Sequence, residues 1–200
     1  MIEIPNVSSY FSHLSQTVNK LDFGMVEQIV RTILRAYNRD QMIYLFGNGG
    51  SAALASHLAC DLGKGTVNGG GKRLRALALT DNVPLMTAWA NDSKYEDIFA
   101  EQLSNLVQRD DVAFAISASG NSPNVLRALK VARHAGAITV GLTGFQGGKM
   151  RELCDQCMIV PCDNMQIIED LHLSVAHAVF TAVRRSLCHQ TQTISAAASD

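Results

Sequence analysis

Over residues 6–20 and 24–39, apolar side chains return at helical spacing with polar residues between them. Leu21-Asp22-Phe23-Gly24 interrupts that rhythm and separates two helices. From residue 41 the pattern changes to short apolar runs alternating with longer amphipathic stretches. Runs at 42–46, 75–79, 112–116, 138–142 and 157–161 predict strands. Stretches at 51–63, 83–91, 95–107, 123–135 and 165–188 predict helices. Short apolar strands separated by helices imply a parallel sheet buried on both faces, an α/β three-layer αβα sandwich. Residues 66–73, Thr-Val-Asn-Gly-Gly-Gly-Lys-Arg, are expected to form a mobile loop. One domain is expected over 1–189, with the polar, Ala- and Ser-rich stretch 190–200 as a disordered tail.

Two of the predicted strands end in turns whose composition points to chemistry. The run Met42-Ile43-Tyr44-Leu45 leads into Phe46-Gly47-Asn48-Gly49-Gly50-Ser51, and a helix opens at or near Ser51. Glycines permit positive φ and close backbone approach. A helix N-terminus presents unpaired N–H groups and the positive end of its dipole, which suit an anion. The run Val112-Ala113-Phe114-Ala115-Ile116 likewise leads into Ser117-Ala118-Ser119-Gly120-Asn121-Ser122, with Pro123 at a first helical position. Both turns are rich in Ser, Gly and Asn and poor in Lys. That composition suits a small phosphorylated ligand better than a nucleotide. In open parallel sheets, ligands bind beyond the carboxyl ends of the strands, where both turns fall.

Composition narrows the picture. Two hundred residues at 47% hydrophobic suffice for a sizeable core. A net charge of −1 offers no basic field for direct nucleic-acid binding. No apolar run approaches 18 residues, so no membrane span is expected. Met1-Ile2-Glu3-Ile4-Pro5 does not read as a secretory signal. Cys60, Cys154, Cys157, Cys162 and Cys188 are read as reduced cytosolic thiols, and the localisation expected is cytoplasmic.

The two turns, together with Leu142-Thr143-Gly144 ahead of Gly147-Gly148-Lys149, resemble in order and spacing the sugar-isomerase (SIS) domain. More closely, residues 5–188 are similar to the phosphoheptose isomerases. The resemblance implies a five-stranded parallel sheet of flavodoxin-like order. It implies a homotetramer with active sites at subunit interfaces, and a bound metal, usually zinc. The implied activity is aldose–ketose isomerisation through an enediolate: sedoheptulose 7-phosphate to D-glycero-D-manno-heptose 7-phosphate.

The resemblance also implies roles for individual residues. Ser51, Ser117, Ser119 and Ser122 would hold the phosphate, with Asn48, Gly49 and Gly50 beside it. The Asn91-Asp92 pair matches a pair that contacts the sugar, with Asp92 as the substrate-binding member. The metal would be held by His57, Asp61, Glu169 and His177. Asp61 or Glu169 would remove the proton next to the carbonyl, and His177 would return one. The chain departs from the family pattern at three of these places: Asp61 replaces Glu, Glu169 replaces Gln, and Ala118 stands where Thr is common. Asp is shorter than Glu by about 1.5 Å, which a ligand tolerates better than a proton shuttle does.

Spacing is a separate witness. His57 and Asp61 lie one turn apart on a helix face. Glu169 and His177 are eight residues apart, a rise of about 12 Å. Glu169 and His172, at i and i+3, are better spaced to share one ion. Spacing thus favours His172 and the resemblance favours His177. The resemblance takes precedence over spacing, with His172 left either to pack or to support the metal ligands from behind. Cys154, Cys157 and Cys162 are read as small buried hydrophobes instead of a zinc knuckle. Lys64 and the cluster Lys72-Arg73-Leu74-Arg75 are either solvated or near the phosphate entrance. Trp89 is read as core. The first helix, and Leu171, Val175, Ala178, Val179 and Val183 of the last, are expected to supply subunit contacts. The alternative from another class is a non-catalytic tetrameric scaffold that binds the replication initiator DnaA; a third is a sugar-phosphate-binding regulator. Retention of His177, and the presence of acidic groups at Asp61 and Glu169, favours the enzyme.

Overall fold

The computed structural model describes residues 6–67 and 72–197, with 189–197 as backbone alone. Five strands form one parallel sheet: β1 (Met42–Gly47), β2 (Arg75–Ala78), β3 (Val112–Ile116), β4 (Ile138–Gly144) and β5 (Gln156–Val160). Their spatial order is β2-β1-β3-β4-β5, the flavodoxin-like order. The order reverses between β1 and β3, which opens a crevice at the carboxyl ends of those two strands.

The strand alternation sorts side chains into two cores. Ile43 and Leu45 of β1, with Val112, Phe114 and Ile116 of β3, face one side. There they meet α2 (Phe23–Arg39), α3 (Gly50–Gly65) and α8 (Met165–Ala197) through Ile29, Ile33, Leu58 and Val179. Tyr44 and Phe46, with Ala113 and Ala115, face the other side. That layer holds α5 (Ala100–Leu106) and α6 (Pro123–His134), with Trp89 of α4 (Val83–Asp92) partly buried beside them. The first helix, α1 (Val7–Val18), lays Tyr10 and Leu14 over the start of α8. Local chemistry sets the helix ends. Asp22 accepts the Met25 N–H at 3.0 Å to start α2, and Asp40 closes α2 in the left-handed region at φ 62°.

Three segments differ from the sequence reading. The stretch 95–107 is not one helix but a 3-10 turn, Tyr95–Asp97, followed by α5. Consecutive Ile98, Phe99 and Ala100 are all buried, which one helical face cannot achieve. Asp97 is drawn inward by the Ser93 hydroxyl at 2.6 Å and by Arg127 at 3.1 Å. A short helix, α7 (Met150–Leu153), fills a stretch read as loop. The backbone of α8 stays helical to Ala197, past the end expected at 188, because no Gly or Pro interrupts 165–197. Residues 198–200 of the expected tail, and 68–71 of the expected loop, lie outside the described residues.

The apolar positions of α8 also correct an expectation. Leu171, Val175, Val179 and Val183 are buried within the chain's own core and offer nothing to a neighbour, and of the five positions expected to supply subunit contacts Ala178 alone is exposed. The exposed large apolar residues of α1 are Val7, Phe11 and Val18.

Candidate active site

The first wall of the crevice is the glycine turn after β1. Gly49 caps α3 at φ 55°, ψ −123°, a conformation strained for any side-chain-bearing residue. The Ser51 N–H returns to the Asn48 carbonyl at 2.9 Å, so Ser51 enters the first turn of α3. A Cβ on Gly50 would meet Glu169 Oε2 at 3.1 Å. The bare Cα thus lets the Glu169 carboxylate, carried by α8, rest on the turn.

The second wall is the serine turn after β3. Ser117 is buried, and its N–H bonds the Leu142 carbonyl at 3.0 Å. The Ser117 and Ser122 hydroxyls lie 3.1 Å apart. Ser119 Oγ accepts the Asn121 N–H at 3.2 Å, and Pro123 starts α6 directly after Ser122. Between the walls is a cavity of about 150 Å³ lined by Asn48, Ser51, Ser117, Ala118, Ser119, Ser122 and Glu169, among others. Hydroxyl donors from both turns converge there with the N-terminal ends of α3 and α6, an arrangement matched to a phosphate group.

A second cavity, of about 270 Å³, shares Ser51 and Glu169 with the first and extends along α3 and α8 past Gly50, His57 and His172. At its outer end His57 Nε2 lies 3.3 Å from Asp61 Oδ2 and 3.0 Å from His177 Nε2. The ligand atoms of His57, Asp61 and His177 all lie within 4.8 Å of one another, the one such group among the described residues. Ligands at 2.0–2.1 Å from a tetrahedral zinc stand roughly 3.3 Å from each other. Two nitrogens and a carboxylate oxygen are donors that zinc accepts, and the two separations measured at His57 are close to that spacing.

Glu169 is outside this group. His172 is outside it as well: only 1% exposed, it points into the interior. Neither ring nitrogen makes a hydrogen bond of ordinary geometry. Burial pushes its pKa down to about 4, and a contact with the Thr143 backbone opposes this only in part.

Other candidates lie elsewhere. Asp92 ends α4, exposed, accepting a 2.7 Å bond from its neighbour Asn91, and lines neither cavity. Lys72 and Arg75 sit at the opposite end of the sheet, where both pair with Asp40. Lys64, near the end of α3, is exposed and lines neither cavity. Cys162 is buried, and Cys154 and Cys157 are half-buried and hydrogen-bonded to each other, which raises the Cys154 thiol and lowers Cys157. None of the three joins a metal group. The structure also adds Asn124, next to Pro123 in the serine-turn motif. It is 2% exposed and hydrogen-bonded to Asn48 at 2.9 and 2.8 Å. The only hint in the sequence is a polar residue in the first turn of an otherwise apolar helix face.

The model of the SIS domain family matches residues 8–144, and the chain belongs to that family. Among its relatives, the phosphoheptose isomerase of Aliarcobacter butzleri is 38% identical over 92% of this chain and 97% of that protein. The phosphoheptose isomerase of Paramagnetospirillum magneticum is 41% identical over 86% of this chain and 85% of its own length. Among solved structures, phosphoheptose isomerase from Neisseria gonorrhoeae superimposes with a TM-score of 0.81 at 30% identity, covering 88% of this chain and 96% of that one.

Proposed function

We propose that this protein is a phosphoheptose isomerase, converting sedoheptulose 7-phosphate to D-glycero-D-manno-heptose 7-phosphate. The observation that carries this reading is the sharing of Ser51 and Glu169 between a serine-lined anion cavity and the cavity that leads to His57. A phosphorylated sugar extending from one to the other has its phosphate among Ser51, Ser117, Ser119 and Ser122, and its carbonyl end toward the histidines. Named relatives covering most of the chain support the same activity.

His57, Asp61 and His177 would hold zinc. Bound there, the ion supplies Lewis acidity for the sugar's carbonyl and hydroxyl oxygens. With Asp61 engaged in that group, Glu169 is the carboxylate available as base. It takes a proton from C1 of the open-chain ketose, leaving an enediolate across C1 and C2. It then returns the proton to C2, while the hydroxyl proton passes from O1 to O2. In this reading His177 stays with the metal group, and the two proton steps at carbon fall to Glu169. The Asn48, Gly49 and Gly50 backbone frames the phosphate end.

We also infer a homotetramer in the cytoplasm. Val7 and Phe11 are 62% and 61% exposed on α1, and the His57 side chain is 49% exposed. A neighbouring copy would cover both kinds of surface, and could bring its own Asp92 to the sugar. Among the described residues no helix is long and apolar enough to cross a membrane.

The test is proton exchange. Sedoheptulose 7-phosphate incubated in heavy water with the zinc-loaded protein is expected to give the aldose, with deuterium entering at C1 or C2. Tight phosphate binding with neither product nor exchange would remove the enzyme reading. Capture of DnaA by the same inactive protein would put the scaffold reading in its place.

A further inference from the structure

We propose that Asn124 is a positioning residue: paired amide to amide with Asn48, it sets the separation of the two turns that hold the phosphate. The inference rests on the phosphate-binding reading of those turns. Asn48 and Asn124 are 76 residues apart in the chain, one in each wall of the crevice. Asn48 Nδ2 donates to Asn124 Oδ1 at 2.9 Å, and Asn124 Nδ2 donates back to Asn48 Oδ1 at 2.8 Å. The two amides close a ring of two hydrogen bonds.

Neighbouring groups determine which way each amide faces. Asn124 Oδ1 also accepts the Val125 N–H at 2.9 Å, so its oxygen cannot exchange places with its nitrogen. Asn48 Oδ1 also accepts the Tyr95 hydroxyl, from the 3-10 turn, at 3.1 Å. Each oxygen thus receives two donors, which fills its capacity. One N–H of Asn48 is committed to Asn124, and one remains to donate to an anion in the cavity that Asn48 lines.

The consequence reaches the phosphate through short lengths of chain. Ser51 lies one helical turn beyond Asn48, and Ser122 is two residues before Asn124. Hydrogen bonds from both turns to one phosphate tolerate only a few tenths of an ångström, so a tie between the walls governs whether they can act together. The tie has to be uncharged. A carboxylate at either position would oppose the partner's oxygen and repel the phosphate. Two asparagines satisfy both conditions.

The experiment uses the zinc-loaded full-length protein, with inorganic phosphate as the calorimetric probe and sedoheptulose 7-phosphate for steady-state kinetics. Asn124→Ala is expected to weaken phosphate about tenfold, as one buried hydrogen-bonding partner is left unpaired. KM should rise by the same factor with kcat little changed, because the phosphate is held alike in ground and transition states. Asn124→Asp should weaken phosphate further. The double variant Asn48→Ala/Asn124→Ala should lose less than the sum of the single losses, as expected of a coupled pair. Tyr95→Phe, at a residue 57% exposed, should fold normally and weaken phosphate by a smaller factor. Wild-type phosphate affinity in a folded Asn124→Ala protein would reduce the pair to a stabilising contact and overturn the proposal. Should Asn124→Ala fail to fold, unchanged affinity in Tyr95→Phe overturns it instead. Phosphate binding without isomerisation removes only the enzyme reading. A wild-type protein that binds no phosphate removes the anion site and this proposal together.

Discussion

His57 Nε2 stands 3.0 Å from His177 Nε2, a contact between residues 120 apart in the chain. Only one of two facing imidazole nitrogens can carry a proton in a neutral pair, so the contact suits a shared cation as well as a hydrogen bond. His57→Ala is expected to reduce bound zinc to background, read by elemental analysis of the dialysed protein. His57 is exposed and belongs to no core, so the fold should persist. A full metal complement in this variant would move the metal site elsewhere.

Glu169 and Asp61 should separate in their effects. Glu169→Gln should keep zinc and phosphate binding and lose turnover by about 10²–10⁴-fold, the range for a general base. Asp61→Asn should lose zinc along with turnover. Equal zinc loss in both variants would return Glu169 to the metal group.

His172 makes stability depend on pH. Burial lowers its pKa from 6.5 to about 4, so the unfolded chain takes up the proton first as pH falls. The contribution is fully present above about pH 6.5 and disappears as pH drops through 4, a change of up to roughly 3 kcal/mol. Urea unfolding across pH 4–8 should show a flatter profile for His172→Gln than for the wild type. Identical slopes would mean that His172 is not the group responsible.

Gly49→Ala isolates backbone strain. A Cβ there meets nothing within 4 Å, but φ is 55°. The variant should be destabilised by about 1–3 kcal/mol and bind phosphate more weakly, because relief of the strain reshapes the turn. Calorimetry with phosphate and a melting curve read both effects.

Phe11→Asp tests the assembly. Light scattering should show a tetramer for the wild type and smaller species for the variant, with secondary structure retained by circular dichroism. A wild-type monomer at micromolar concentration would exclude the tetramer.

The strand and helix sequence was legible because each strand is a short apolar run bounded by turn residues. The two anion turns were legible for the same local reason. Their glycines, serines and Pro123 act within a few residues of where they stand. The paired His57 and Asp61 could be read one helical turn apart. Residues 95–107 could not be divided from sequence, because the division depends on Asp97 meeting Arg127 of another helix.

What local pattern left open was orientation. His172 and His177 are roughly 140° apart around the axis of α8 at about 100° per residue, so packing can admit one to a site and bury the other. Docking of α8 against α3 turns His177 toward His57 and His172 into the interior. Spacing along one helix does not reveal which of its faces becomes buried. The Asn48–Asn124 pair was equally out of reach, since it exists only once β1 and β3 are neighbours. The sequence by itself determined the elements and the local chemistry of their ends, which depend on φ, ψ and contacts one turn away. Tertiary structure decided which side chains meet, because helix rotation and strand adjacency follow from burying the whole apolar surface at once.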